Sequence, residues 1–82
     1  MMFQLVWERD GIVLECHTDL LKGRFEWVRL RKFLSEGDAR LFQMSRCPKM
    51  TENEVKMLAW QYDGRYRFTY CAGRWMKTSR VL

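Results

Sequence analysis

The residues best suited to chemistry lie near the end of the chain, where basic and aromatic side chains alternate. The segment 63–80, DGRYRFTYCAGRWMKTSR, holds five basic side chains, four aromatic ones and a single acid. Arginine binds phosphates well, because its planar guanidinium is always charged and can donate two parallel hydrogen bonds. Aromatic rings can stack on unpaired bases. The candidate residues for binding a nucleic acid or another partner are Arg65, Arg67, Arg74, Trp75, Lys77 and Arg80.

The positive charge of the protein is concentrated in the same region. The chain has a net charge of +5, yet residues 1–63 hold ten Lys and Arg against ten Asp and Glu. Residues 64–82 hold five basic residues and no acid. Like charges on one hairpin repel one another, and a nucleic-acid backbone would relieve that repulsion and release counterions. We therefore expect a non-enzymatic protein that binds DNA or RNA through this hairpin.

The alternative is a protein partner, for which the sequence offers a second candidate surface at Met57 and Trp60. These two residues fall opposite the apolar stripe of a predicted helix, so they form an exposed patch unless a neighbouring element covers them. Tryptophan and arginine are common among the residues that dominate protein interfaces. In this interpretation the protein is a small inhibitor or adaptor, such as a phage or mobile-element accessory protein that blocks a host machine. Its arginines would then meet an acidic protein surface.

Metal binding and catalysis find little support in the sequence. The residues that could bind zinc, Cys16, His17, Cys47 and Cys71, lack the paired spacing of a zinc site. Cys16 and His17 are adjacent, so on a strand they point to opposite faces. We expect the cysteines to be thiols, His17 to lie on a polar strand face, and the protein to use no metal or cofactor. No cluster of base and carboxylate indicates an active site.

An N-terminal hairpin is the first of the elements that must position these residues. The stretch FQLVWERDGIVLECH alternates apolar and polar residues around Asp10-Gly11, a dipeptide that predicts a type I′ turn. A two-residue turn there pairs Arg9 with Ile12. One face of the hairpin is then apolar and the other mostly polar, which specifies the register of the strands.

A third strand is predicted to extend this sheet. Lys22-Gly23 can form a second turn, which would place Phe25 and Trp27 on the same apolar face as the first hairpin. A helix is the alternative for this stretch, since Trp27, Leu30 and Phe33 also fit one side of a helix. The stretch 35–46 is left open between a helix and a turn joining two strands.

A helix over about 52–62 and a C-terminal hairpin complete the predicted fold. Thr51 is a suitable N-cap with Glu54 at the capping-box position. Ala72-Gly73 predicts the turn of the last hairpin. Two- and four-residue loops both place the aromatic side chains on one face and the arginines on the other. A two-residue loop would pair Arg65 with Arg80.

The whole chain, residues 1–82, is therefore expected to form one α+β domain. A helix followed by a hairpin also resembles a winged helix-turn-helix, but Glu52 and Glu54 would begin the recognition helix and repel phosphates. No run approaches the roughly 20 apolar residues of a membrane span, and the N-terminus does not have the pattern of a signal peptide. We therefore expect the protein to be cytoplasmic. Three cysteines at irregular spacing do not indicate a disulfide framework, and in a reducing cytoplasm they would be thiols. A chain this short can gain stability from a partner or a homodimer.

Overall fold

The computed structural model describes residues 1–80, apart from the side chains of residues 79 and 80. Within that range the elements are β1 (Met2–Glu8), β2 (Gly11–Thr18), β3 (Glu26–Phe33), α1 (Glu36–Ser45), a 3-10 helix (Cys47–Lys49), α2 (Glu52–Tyr62), β4 (Tyr66–Cys71) and β5 (Arg74–Arg80). Strands β1, β2 and β3 form an antiparallel sheet in that order, and β4 and β5 form a separate hairpin. The predicted α+β class, N-terminal meander, helix at 52–62 and C-terminal hairpin are confirmed.

The first turn differs from its prediction by one residue. Glu8 pairs with Gly11, so the turn is formed by Arg9 and Asp10, and Gly11 begins β2. Glycine is needed at position 11 for a different reason, because a Cβ there would lie 2.7 Å from the carbonyl oxygen of Phe33. Ile12 therefore pairs with Trp7 and not with Arg9, a shift of two residues. Because side chains alternate with a period of two, the same side chains still share a face.

The third element is a strand with one bulge rather than the alternative helix. Glu15 pairs with Arg29 whereas Leu14 pairs with Arg31, so Leu30 is an extra residue in β3. The bulge lets both Leu30 and Phe33 enter the core, although their spacing does not fit the alternation of a regular strand.

The prediction that Phe25 and Trp27 face the core is wrong. A seven-residue loop, 19–25, replaces the predicted tight turn, and Trp27 pairs with His17 across the sheet. Paired residues share a face, so Trp27 lies with His17 on the side away from the core. Phe25 is 66% exposed and Trp27 is 40% exposed. Their rings lie 5.4 and 5.0 Å from the His17 ring and form an aromatic cluster on the outer face.

The core lies between the inner face of the sheet and the two helices. Strand β2 contributes Leu14 and Cys16, which are fully buried, and α2 contributes Val55, Leu58 and Ala59. The helical spacing predicts an apolar stripe of these three residues and Tyr62, and Tyr62 is only half-buried. Thr51 caps α2 as expected, since its hydroxyl oxygen accepts a hydrogen bond from the Glu54 backbone N–H at 3.2 Å. Because α2 packs on the sheet by this stripe, its opposite side is available to the C-terminal hairpin.

The stretch left open by the sequence, 35–46, is helix α1. The Ser35 hydroxyl caps it by accepting a hydrogen bond from the Asp38 backbone N–H at 3.2 Å. Ala39 and Phe42 pack against the core cluster. Among the described residues, neither helix is long and apolar enough to cross a membrane.

Candidate nucleic-acid interface

The C-terminal hairpin turns at Ala72 and Gly73, as predicted. Their φ angles are +52° and +79°, so both residues are in the left-handed region that a type I′ turn requires. The register pairs Tyr70 with Trp75 and Phe68 with Lys77 on one face. The predicted separation of an aromatic face from an arginine face is therefore present next to the turn.

A bulge changes the register at the open end of the hairpin. Arg67 pairs with Ser79 and Phe68 with Lys77, so Thr78 is an extra residue in β5. The Thr78 hydroxyl donates a hydrogen bond to the Arg67 carbonyl oxygen at 2.9 Å, which ties the bulge to the opposite strand. The pairing of Arg65 with Arg80 is wrong, since Arg80 pairs with Tyr66. The Arg80 side chain lies outside the described residues.

Aromatic contacts attach the hairpin to the side of α2 that faces away from the sheet. The Tyr66 ring lies 5.9 Å from the Trp60 ring and 6.0 Å from the Phe68 ring. The Phe68 backbone N–H donates to Oε1 of Gln61 at 3.2 Å, and the Arg65 N–H donates to the Trp60 carbonyl at 3.0 Å. The base of the hairpin is therefore attached to α2 through Tyr66 and the backbone of β4, whereas Tyr70 near the turn is exposed.

Four cations of the hairpin lie on the surface of the described structure. Arg65, Arg67, Arg74 and Lys77 are exposed. Among the side chains of residues 1–78, no carboxylate lies within ion-pair distance of these four cations. Lys77 instead places its ammonium 4.8 Å from the centre of the Tyr66 ring. The hairpin thus presents uncompensated positive charge, which favours an anionic partner.

The two surfaces singled out in the sequence meet in one groove. Met57 and Trp60 of α2 line a groove of about 510 Å³ together with Arg74 and Trp75 of the hairpin. Met57 and Trp60 are half-buried, so they do not form a separate exposed patch. We call this space the tryptophan groove. It combines two indole rings with a guanidinium, and so joins a stacking surface to a cation.

One groove residue, Lys56, was missed by sequence reasoning. It lines the tryptophan groove and has no ion-pair partner among the described side chains. Lys56 lies four residues before Trp60, a spacing that places both on one side of a helix and could have identified it. Glu54 also lines the groove, but its Oε2 accepts a hydrogen bond from Nη2 of Arg46 at 3.0 Å. The acid of the groove is therefore already paired, whereas its two cations are not.

The residues considered for metal binding do not come together. Cys16 and Cys47 are buried in the core, whereas Cys71 is exposed on the hairpin, and all three are free. Within the described part of the chain, no three His, Cys, Asp or Glu side chains form a group that could hold a metal ion. Burial raises the pKa of the Cys16 thiol, and it raises the pKa of Cys47 to about 11. Both core thiols therefore remain neutral near pH 7.

The chain was also compared with known proteins. No protein-family model, no curated protein sequence and no solved structure matches it. The geometry and charge of the hairpin and the groove are therefore the observations that bear on function.

Proposed function

We propose that this protein is a non-enzymatic nucleic-acid-binding protein that holds the phosphate backbone with the exposed cations of its C-terminal hairpin. The observation that supports this proposal is the absence of acidic partners for Arg65, Arg67, Arg74 and Lys77 among the described side chains. Phosphates bound by such cations release condensed counterions, which provides most of the affinity in sequence-independent binding.

The arrangement of the hairpin favours arginines that bind a phosphate backbone over arginines that only contact water. On the aromatic face, the Tyr66 ring contacts Trp60 of α2 and the Phe68 backbone N–H donates to Gln61, which attaches β4 to the helix. The opposite face, with Arg67 and Arg74, is then free to follow a strand of phosphates. Three free thiols within residues 1–80 agree with a reducing compartment, so the proposal includes residence in the cytoplasm.

Salt dependence is the direct test of this function. Fluorescence anisotropy with a short labelled oligonucleotide should show affinity falling steeply as salt rises, by about 0.7–0.9 log units per log unit of salt for each phosphate contact. Arg67→Ala should reduce that slope by about one contact. Thr69→Ala, an exposed and uncharged change on the same strand, is the matched control and should leave the slope unchanged. A wild-type protein that binds neither DNA nor RNA at low salt would contradict the proposal.

A second candidate function is binding to an acidic protein surface, which makes the protein an inhibitor or adaptor. The observation that favours it is a set of exposed apolar side chains in and next to α1. Leu34 is 91% exposed, Leu41 66% and Met44 76%. Large apolar side chains exposed to solvent commonly mark a protein interface when they form a patch, and Leu41 and Met44 are three residues apart on α1. Fractionation with and without nuclease treatment separates the two functions, because a complex with protein survives the nuclease and a complex with nucleic acid does not.

A further inference from the structure

The tryptophan groove has the size and lining of a site for a flat aromatic ligand. Its volume of about 510 Å³ lies inside the range of roughly 300–1,000 Å³ that is typical of pockets for small ligands. Trp60 comes from α2 and Trp75 from β5, so the site exists only when the hairpin is docked on the helix. Met57 adds a polarisable apolar side chain to the lining of the same groove.

Both indole rings are held in place while remaining free of a parallel stack. Trp60 meets Tyr66 at an interplanar angle of 63°, and Trp75 meets Tyr70 at 61°, with ring centres 5.9 and 5.3 Å apart. Among the described residues, no other ring approaches either indole. Each indole thus has one inclined aromatic neighbour and no parallel one among the described residues. Proteins bind the faces of unpaired bases by stacking them on aromatic side chains of this kind.

The charges of the groove fit the phosphates on either side of such a base. Lys56 lies on the helix side and Arg74 on the hairpin side, and neither has an acidic partner among the described side chains. Glu54 lies in the groove as well, but Arg46 already neutralises it. An uncharged aromatic ligand would leave both cations unused, whereas a nucleotide within a strand uses the rings and the cations together.

From this combination we infer that the tryptophan groove binds an unpaired nucleobase, and that the protein therefore prefers single-stranded nucleic acid to duplex. A base inside a duplex has both faces covered by its neighbours, so it must leave the stack before an indole can contact it. The inference rests on the proposed function, to which it adds the class of nucleic acid. The arginines of the hairpin bind the backbone in either class, and the groove discriminates between them.

Three probes of the same length test this inference: a single-stranded oligonucleotide, its duplex, and a strand with abasic sites in place of bases. The wild type should bind the single strand most tightly. Trp75→Ala should weaken single-strand binding by roughly tenfold to a hundredfold, and change duplex and abasic binding little. Trp75→Phe keeps an aromatic ring and should retain most of the affinity. Trp7→Ala is the matched control, since Trp7 is 54% exposed on the sheet, and it should bind like the wild type.

The outcomes distinguish this inference from the proposed function. Equal affinity of the wild type for single strand and duplex, or for normal and abasic strands, overturns the inference and leaves backbone binding in place. Wild-type affinity in Trp75→Ala also overturns it. Binding to none of the probes at low salt contradicts the proposed function itself. Circular dichroism checks the fold of each variant, and the abasic comparison needs no variant at all.

Discussion

The outer face of the sheet and the C-terminal hairpin are both rich in charged residues, but they differ in whether those residues have partners of opposite charge. On the sheet, Arg29 lies 2.7 Å from a Glu8 oxygen and 3.6 Å from a Glu15 oxygen, and Lys32 lies 2.8 Å from an Asp10 oxygen. On the hairpin, the exposed cations have no acidic partner among residues 1–78. The charges of the sheet serve the fold, whereas those of the hairpin are available to a partner.

Protonation equilibria agree with this difference. The hydrogen bond from Lys32 lowers the pKa of Asp10, and the same contact raises the pKa of Lys32. The hydrogen bond from Arg29 to the Tyr62 hydroxyl, followed by the charge of Glu8, raises the pKa of Arg29. Each shift favours the charged form within a folded ion-pair network.

Burial separates the two regions as well. Residues 12–16 of β2 are all buried, whereas the hairpin keeps most of its described side chains exposed and packs mainly on α2. Regions with few buried apolar contacts open most easily, so the hairpin should be the less stable part of the protein. Substitutions in the sheet should therefore change the stability of the protein more than substitutions in the hairpin.

The largest effect is expected for truncating the centre of the sheet. Leu14→Ala removes a fully buried side chain and should cost about 2–5 kcal/mol, a large fraction of the stability of a small protein. Phe68→Ala, at a half-buried position of the hairpin, should cost less because the site is open to solvent. Urea denaturation followed by circular dichroism measures both. An equal or larger loss for Phe68→Ala would contradict the difference between the regions.

A smaller effect is expected for removing a charge from each region. Glu15 is buried, accepts a hydrogen bond from the Gln4 side chain at 2.8 Å and forms an ion pair with Arg29 at 3.6 Å. The Glu15→Ala variant should therefore lose about 1–3 kcal/mol of stability. Arg67→Ala should change stability by no more than about 0.5 kcal/mol, since its exposed side chain has no acidic partner among the described residues. Chemical denaturation of the two variants provides the comparison. Destabilisation by Arg67→Ala to the extent of Glu15→Ala would show that Arg67 serves the fold.

A still smaller effect, of opposite sign, is expected at the hairpin turn. Ala72 has a φ of +52°, a conformation that costs a residue with a Cβ roughly 1 kcal/mol and that asparagine adopts more readily. Ala72→Asn should therefore stabilise the hairpin by about 0.5–1 kcal/mol. Gly73→Ala introduces a Cβ at a φ of +79° and should destabilise it. Amide hydrogen exchange within β4 and β5 reports both changes, and slower exchange in Gly73→Ala would contradict the turn geometry.

The thiols distinguish the two regions without altering stability. Cys71 is exposed on the hairpin, whereas Cys16 and Cys47 are buried and burial raises the pKa of both. A thiol reagent should therefore modify one cysteine of the native protein rapidly, and all three after denaturation. The Cys71→Ser variant should lose the rapid phase. A rapid phase that persists in this variant would mean that Cys16 or Cys47 is accessible in the native protein, and would contradict the burial of the core thiols.

The sequence predicted most of the fold because its signals were local. Thr51 and Glu54 identify the start of α2, and Ala72-Gly73 identifies the last turn. The faces of β1 and β2 were correct even though the turn was misplaced at Asp10-Gly11, since a two-residue change in pairing keeps the same side chains together.

What the sequence failed to predict depends on contacts distant in the chain. The bulges at Leu30 and Thr78 have no local sequence signature, and each changes which residues share a face. The outward position of Trp27 follows from the length of the loop before β3, which the Lys22-Gly23 pair did not indicate. Of the candidate site, the sequence identified the cations of the hairpin. The tryptophan groove required the docking of the hairpin on α2, which brings Trp60 and Trp75 together.

Two double variants of equal charge ask whether binding depends on where the cations lie. Arg65→Gln with Arg67→Gln, and Arg9→Gln with Arg24→Gln, each lower the net charge of +5 by two units at exposed positions. Anisotropy with a single-stranded oligonucleotide at low salt should show a large loss of affinity for the Arg65 and Arg67 double variant. The Arg9 and Arg24 double variant, which alters the first turn and the loop before β3, should bind with near wild-type affinity. Equal losses for the two pairs would show that net charge, and not the hairpin, governs binding, and would contradict the proposed function.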